Sequence, residues 1–547
     1  MKTPTRLLTV LAALTLVSAI SAAAAYGHAE RLSYYPNHKL GSVPKYKRSG
    51  PSLVVCKSDS GARIRRQLSG SSKRRNLTLL KRCAYRDIQA AVNAAHNGTR
   101  ILVLPGVYRE EPSRRVAQPA EACSGDYQEY DAPGYESAGK MRVPNFEYQR
   151  NCPNAQNLIA IIGDGPDADR RCDHKCNIQI EGTGTKPGQV LIDGSRQKLN
   201  VIRADRADGI HLRNFTVQYS DFNNIYVLET NGFRMENIVS RWSREYGFLS
   251  FTSDNGLYRN LTAYGSGDSG IYPGSGPEGH CKRYGIEIDH VNSYGNTIGW
   301  SGTAGNGVYT HDSKFHDNAA GITTDSFAAG HPGMPQDCSK WERNEIYSNN
   351  MNPYTEERDA YCFVKNRPIA DRDPKVVCPA FNAPVGTGLL IAGGNRNLIR
   401  NNRIYDNWRA GVMQFWVPSS FRGTDPTGQS KNSGPAYEAQ TDTSNGNRML
   451  ANVMGVTPRG KRAPNGVDFW WDEEGHRNCW TDNRARAGNA ITSEPTTLPG
   501  CPGSTKHQEI NPAKLAGLAA CAPWDPQDEV LQDPPGCDWF TTPRKPR

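Results

Sequence analysis

The sequence predicts an all-β fold in which short strands coil into a solenoid, and three observations predict it. A phrase recurs five times: DGIHLRNFTVQYSDFNNI from Asp208, NGFRMENIVSRWSREYGF from Asn231, NGLYRNLTAYGSGDSGI from Asn255, YGIEIDHVNSYGNTIGW from Tyr284 and NGVYTHDSKFHDNAAGI from Asn306. Each copy sets a glycine before an apolar residue, and the steps between Gly209, Gly232, Gly256, Gly285 and Gly307 are 23, 24, 29 and 22 residues. A repeat of that length with β-type runs inside marks a solenoid. Second, the alternation within a copy has period 2: Ile210 and Leu212 share one face, His211 and Arg213 the other, as in a strand with one buried side. Third, a polar residue returns about five positions after the glycine, as Asn214, Asn237, Asn260, His290 and Asp312. That column suits a side-chain ladder between parallel rungs. One rung cannot bury its own apolar face, but stacked rungs bury a continuous core.

The elements follow in chain order. Residues 1–29 carry a basic start (Lys2, Arg6), an apolar run from Leu7 to Ile20 and small residues from Ala22 to Ala29, the pattern of a secretory signal peptide. Its removal lowers the formal charge from +10 to +8. Residues 30–82 form a basic lead-in: from Lys39 to Arg82 there are 13 Lys or Arg and a single acid, Asp59. Such a run reads either as attraction to an anionic polymer or as a solvated arm. Ile88, Ala91, Val92 and Ala95 then fall on one helical stripe with Gly98 as its stop. This helix caps the open end of a coil running over residues 83–480. Within each rung a third strand opens on Ile225, Phe248, Ile271, Ile298 or Ile322. Insertions at 327–340 and 351–385 interrupt the rungs, as loops that shape a groove do. Two more rungs follow from Gly386, with Asn402 at the ladder position, and Val467 to Asn483 supplies the last rung or its cap. Residues 481–547 read as a Pro- and Cys-rich tail, helical only from Pro512 to Ala520.

All 14 cysteines follow the signal segment, an even number that suggests disulfides in an exported chain. Cys172-Asp-His-Lys-Cys176 would be a metal clip only with a second ligand pair nearby, so a disulfide, local or to another loop, is expected there. After the signal, no stretch is long and apolar enough to span a bilayer. No nucleic-acid fold signature is present. The expected partner is an extracellular polysaccharide, met by a monomer.

The repeats resemble the right-handed parallel β-helix units of the pectate-lyase-like superfamily over roughly residues 84 to 480. The segment YRDIQAAVNAAHNGTRILVLPGVYRE from Tyr85 resembles that superfamily's N-terminal start. The resemblance implies a right-handed, single-stranded parallel β-helix with ligands along one sheet and its loops. It does not carry an activity, because fold and function separate. The paired Asp, Gly-His-Gly and Arg-x-Lys set of polygalacturonases is missing, as are the Asp-Pro-His of alginate epimerases and the calcium-binding nonapeptide.

The ligand face is assigned to the third strand, because the largest insertions follow it. With the Ile and Val side inward, Tyr226, Phe251, Tyr272 and Phe415 point outward as sugar-stacking surfaces, and Asp325 is the acid on that face. The loop after Ile271 supplies Glu278, His280, Lys282 and Arg283, and the loop after Ile322 supplies His331. Those loops root two rungs, about 10 Å, apart. Asp325 with Glu278 is the pair for glycoside hydrolysis, which needs two carboxyls. His280 as base, with Lys282 or Arg283 to neutralise a uronate, is the set for elimination. The pairs Asp289-His290, His311-Asp312 and His316-Asp317 fall at turns away from this face and read as turn polarity. No cofactor is required, and calcium enters only if the reaction is an elimination. The expected function is a secreted glycoside hydrolase or polysaccharide lyase on an extended, possibly acidic polymer; the alternative is a non-catalytic carbohydrate-binding or cell-surface protein.

Overall fold

In the computed structural model the described residues are 31, 33–115, 123, 125–131, 140–163, 172–326, 331–355, 361–362, 371, 373, 375–417, 444–521 and 535–547. The signal segment lies outside them, as do parts of both insertions. Three long sheets carry the chain, and every strand within them pairs in parallel with its equivalent one rung away. The first sheet has 12 strands, from Ser52–Val55 to Cys479–Thr481. The second has 10, from Gly106–Tyr108 to Val453–Met454, and the third 11, from Asn157–Ile162 to Ser493–Glu494. The chain passes through the sheets in that order within each rung. The repeat phrases therefore lie in register: Arg213 pairs Glu236, Glu236 pairs Arg259, and Arg259 pairs Asp289.

The polar column is the corner between the first and second sheets. Asn214, Asn237, Asn260, His290 and Asp312 all have positive φ, the left-handed conformation that Asn and Asp tolerate best among residues with a Cβ. Asn237 Nδ2 donates to Asn214 Oδ1 at 2.8 Å. In later rungs the ladder moves one residue on, so that Asn344, Asn402, Asn452 and Asn483 bond in series, each Nδ2 or backbone N–H to the next Oδ1. A second amide series at the next corner runs through Asn296, Asn318, Asn349, Asn407 and Asn465.

The interior is one continuous apolar column. Ile225, Phe248, Ile271, Trp300, Ile322, Leu389, Val412 and Phe469 stack in register along the third sheet. This corrects one expectation: Trp300, not Ile298, fills the core beside Ile271, because Ile298 pairs with Ser269 two residues earlier in the strand. On the opposite parity the third sheet carries glycines where rungs approach closest. A Cβ on Gly321 would stand 2.5 Å from Gly388 O, and one on Gly388 2.5 Å from Gly411 O.

The lead-in is not a free arm. Ser52–Val55 is the first strand of the first sheet, so the coil begins before residue 83. Helices Ser60–Gln67 and Gly70–Leu80 press Ile64, Leu68 and Leu79 onto Val54, Leu102 and Leu104. Arg65, Arg66 and Arg74 stay exposed. Further upstream, the Arg31 guanidinium holds Asp205 at 2.7 Å and Glu229 at 2.6 Å. Helix Ile88–Ala94 ends well short of Gly98 and packs Ile88, Ala91 and Val92 into the main core. Its first amides are held from outside by Glu110, whose carboxyl accepts Ile88 N and Gln89 N at 2.9 Å each.

All 14 cysteines are paired, Cys172 with Cys176 among them. Helix Pro512–Cys521 and the Cys521–Cys537 bridge order the tail. Val385 N donates to Trp539 O at 2.9 Å, which lays the tail beside the third sheet. Among the described residues no helix is long and apolar enough to cross a membrane.

Candidate functional site

The outer face of the third sheet gathers most of the unusual chemistry. Asp268 stands in the turn before strand Ser269–Gly274, and Asp325 closes strand Ala320–Asp325 two rungs on. Tyr246 stands one rung before Asp268, Tyr272 on the strand that follows Asp268, Thr303 on the strand between the two acids, and His331 after Asp325. Tyr246 Oη donates to Asp268 Oδ2 at 2.7 Å, and its ring packs on Tyr272 with centroids 4.5 Å apart. Thr303 Oγ1 donates to Asp325 Oδ2 at 2.9 Å. Tyr272 Oη lies 3.5 Å from His331 Nε2, and the His331 ring meets Phe251 edge-on at 5.4 Å. Glu245 is the residue of the preceding rung that lies beside Asp268 and accepts its N–H through the main chain at 3.1 Å. Glu245, Asp268, Asp325 and His331 are all buried.

Burial sets the electrostatics here. It pushes the Asp268 carboxyl up to about 7; the bond from Tyr246 opposes the shift and the nearby Asp325 charge adds to it. Burial also raises Glu245 well above the usual carboxylate range, reinforced by Asp268 and opposed by Arg244. The Tyr246 and Tyr272 hydroxyls are held well above their usual range, again by burial first, with Asp268 and Asp325 respectively adding to it. Desolvation disfavours each charged form, and neighbouring carboxylates compound the effect. The result is a carboxylic acid that keeps its proton near neutral pH beside a second carboxyl, a combination suited to general acid catalysis.

The ten residues singled out from sequence do not form one site. Asp325, Phe251, Tyr272 and His331 meet in this cluster, but not as an open stacking surface. Tyr226, Phe251, Tyr272 and Phe415 are only 1, 3, 2 and 6% exposed. This corrects the expectation of a solvent-facing platform. Tyr226 lies under the Arg203 guanidinium at 4.9 Å, Tyr272 between Tyr246 and His331, and Phe415 against Trp539 of the tail. Glu278 and His280 form a second group, 3.4 Å apart, with Glu278 in the field of Arg396. The loop that carries them is tied to the neighbouring turn by the Cys281–Cys338 disulfide. Arg283 grips the buried Asp254 carboxylate through two bonds of 2.6 Å, which gives it a structural partner in place of a substrate. Lys282 projects into solvent beside His280.

Sequence reasoning missed Asp268, Tyr246 and Glu245. Asp268 sits in GSGDSGI, where an acid in a polar turn is unremarkable; its signal is the tyrosine one rung earlier, visible only once the register is known. The turn dyads lie elsewhere, as expected. His290 and Asp312 occupy the left-handed corner column, and His316 is stacked between Tyr294 at 5.3 Å and Tyr347 at 4.7 Å. Asp289, His311 and Asp312 converge closely enough to hold a metal ion, but Arg259 and Arg343 already neutralise both carboxylates.

Three stacked, all-parallel sheets define a parallel β-helix. No protein-family profile and no curated protein match the chain. Among solved structures it is similar to the A-module of the Azotobacter vinelandii mannuronan C-5 epimerase AlgE6, with 15% identity, 74% of this chain and 95% of that one covered, and a TM-score of 0.34. The AlgE4 A-module of the same organism gives 13% identity, 76% and 93% coverage and a TM-score of 0.39. Pectate lyase Pel9A gives 13% identity, 86% and 84% coverage and a TM-score of 0.32. At these identities the likeness is one of fold.

Proposed function

We propose that the chain is a secreted polysaccharide-active enzyme whose centre is the outer face of the third sheet, with Asp268 as the general acid and Asp325 as its partner carboxylate. The observation that carries this is Asp268 itself: buried, bonded to Tyr246, raised to about 7 and within the field of Asp325. A buried carboxyl that holds its proton near a second carboxyl can serve as the acid of glycosidic cleavage. The seven disulfides fit an oxidising, extracellular setting. Asp268 is itself closed off from solvent, as are Tyr246 and Tyr272 beside it.

That closure favours a second reading, in which the face is a packed structural layer and the protein binds polysaccharide without turning it over. Incubation of the purified protein with neutral and uronate polymers separates the two. New reducing ends without ultraviolet absorbance mean hydrolysis, and reducing ends with the absorbance of an unsaturated uronate mean elimination. Under the first reading Asp268→Asn lowers turnover by at least about a hundredfold, the usual scale for a lost acid. An Asp268→Asn protein of undiminished activity refutes the assignment.

A further inference from the structure

A second feature lies at the corner where the third sheet gives way to the first, toward the C-terminal rungs. A cavity of ≈ 200 Å³ opens there, with Asp337, Asn395, Arg396, Asn445, His476 and Arg477 on its walls. At ~30 Å³ per water it has room for roughly seven waters, which is one sugar ring rather than a chain. Its residues come from the turns of four successive rungs. Asp337 pairs with Asn395 in register, Asn445 N donates to Asn395 Oδ1 at 2.9 Å, and His476 N donates to Asn445 Oδ1 at 3.0 Å.

This ladder orients the two carboxamides. Each turns its oxygen toward the backbone of the next rung, and among the described residues no acceptor takes up either Nδ2 group. Arg396 grips Asp337 through Nε at 2.9 Å and through Nη2, so the one carboxylate of the wall is neutralised while half of the Arg396 side chain stays in solvent. Arg477 is exposed and has no carboxylate partner among the described residues. The cavity is therefore rich in donors and cationic, with its acceptor already occupied. A planar oxyanion entering there would meet the Arg477 guanidinium, the remaining edge of Arg396 and amide N–H donors, the pattern that charge-assisted hydrogen bonds favour.

We propose that this cavity is a subsite for a carboxylate-bearing sugar. Its first rung is the rung of Asp325: Gln336, next to Asp337, donates its N–H to the hydroxyl of Ser326, next to Asp325, at 2.8 Å. The remaining rungs step away from Asp325 by ~4.8 Å each. A polymer lying along the coil axis with one residue at Asp325 passes over the cavity a few rungs later. The identification of the anion as part of that polymer rests on the proposed function; the binding of a carboxylated sugar does not.

The test is calorimetric titration of the full chain with sodium D-glucuronate, D-glucose and sodium phosphate. Two variants accompany the wild type. Arg477→Gln removes an exposed cation. Asn445→Asp keeps the oxygen that accepts His476 N and turns a second oxygen, with its charge, toward the cavity. Glucuronate is expected to bind at least about tenfold more tightly than glucose, and each variant to weaken it by about tenfold or more, with thermal unfolding unchanged. Equal affinity for glucose and glucuronate, unchanged glucuronate affinity in both variants, or binding of phosphate alone overturns the subsite. Polymer turnover is scored separately on Asp268→Asn. Glucuronate binding without any turnover removes the catalytic reading and keeps the subsite, and turnover without glucuronate binding does the reverse.

Discussion

Trp300 inside the coil and Asp268 on the outside of the third sheet are both hidden from water, yet their surroundings are opposite. Trp300 stacks between Ile271 and Ile322 and meets Trp341 edge-on at 5.5 Å. Its burial is stabilising because apolar area leaves water. Asp268 lies among Glu245, Tyr246 and Asp325, and its burial is tolerated only with the proton retained. The interior could not be built from such groups, since each unpaired polar atom there costs stability. Two of the corners show how the coil handles polarity where nothing but structure is at stake: neutral amides bonded in series from rung to rung. A buried acid with a raised proton affinity departs from that pattern, which is why the third-sheet face, and not the corner dyads, is the candidate site.

Three measurements test this contrast. The largest effect is expected from Trp300→Ala, which leaves a cavity in the column and lowers unfolding free energy by about 4 kcal/mol, read by urea denaturation. Next is the pH dependence of stability. Between about 4 and about 7 the unfolded chain has released the Asp268 proton and the folded chain has kept it, so stability falls as pH rises through that window. Denaturation of the wild type against Asp268→Asn across this range is expected to show a steeper wild-type slope, by up to about 1.4 kcal/mol per pH unit. Glu110 and Asp472, also raised to about 7 by burial, tilt both proteins alike. Parallel slopes would show that Asp268 is ordinary and that the contrast with the interior is false. The smallest effect is at the corner. Asn402→Ala strips the acceptor from Asn344 N and Nδ2 and is expected to cost about 2 kcal/mol, with polymer turnover unchanged.

The rungs and their register through the corner residues were legible because each rests on local pattern. Glycine spacing, period-2 alternation and a recurring left-handed Asn are properties of a few adjacent residues, and stacking only repeats them. The site was legible in part. Asp325, Tyr272 and His331 could be placed on the outer face from parity and insertion length, but the aromatic residues were read as open where they are buried. The lead-in, read as an arm or a charge patch, supplies a strand and two helices because Ile64, Leu68 and Leu79 find apolar partners on the first sheet.

By itself the amino-acid order determined that this chain coils, where its corners fall and which side chains alternate in and out, since all three follow from the sterics and hydrophobicity of neighbouring residues. Only the tertiary structure decided which outward residues are buried, that Tyr246 reaches Asp268, and that turns from four rungs close around one cavity. Those outcomes depend on residues far apart in sequence excluding water from a shared space, and solvation at such a place is set by everything packed around it.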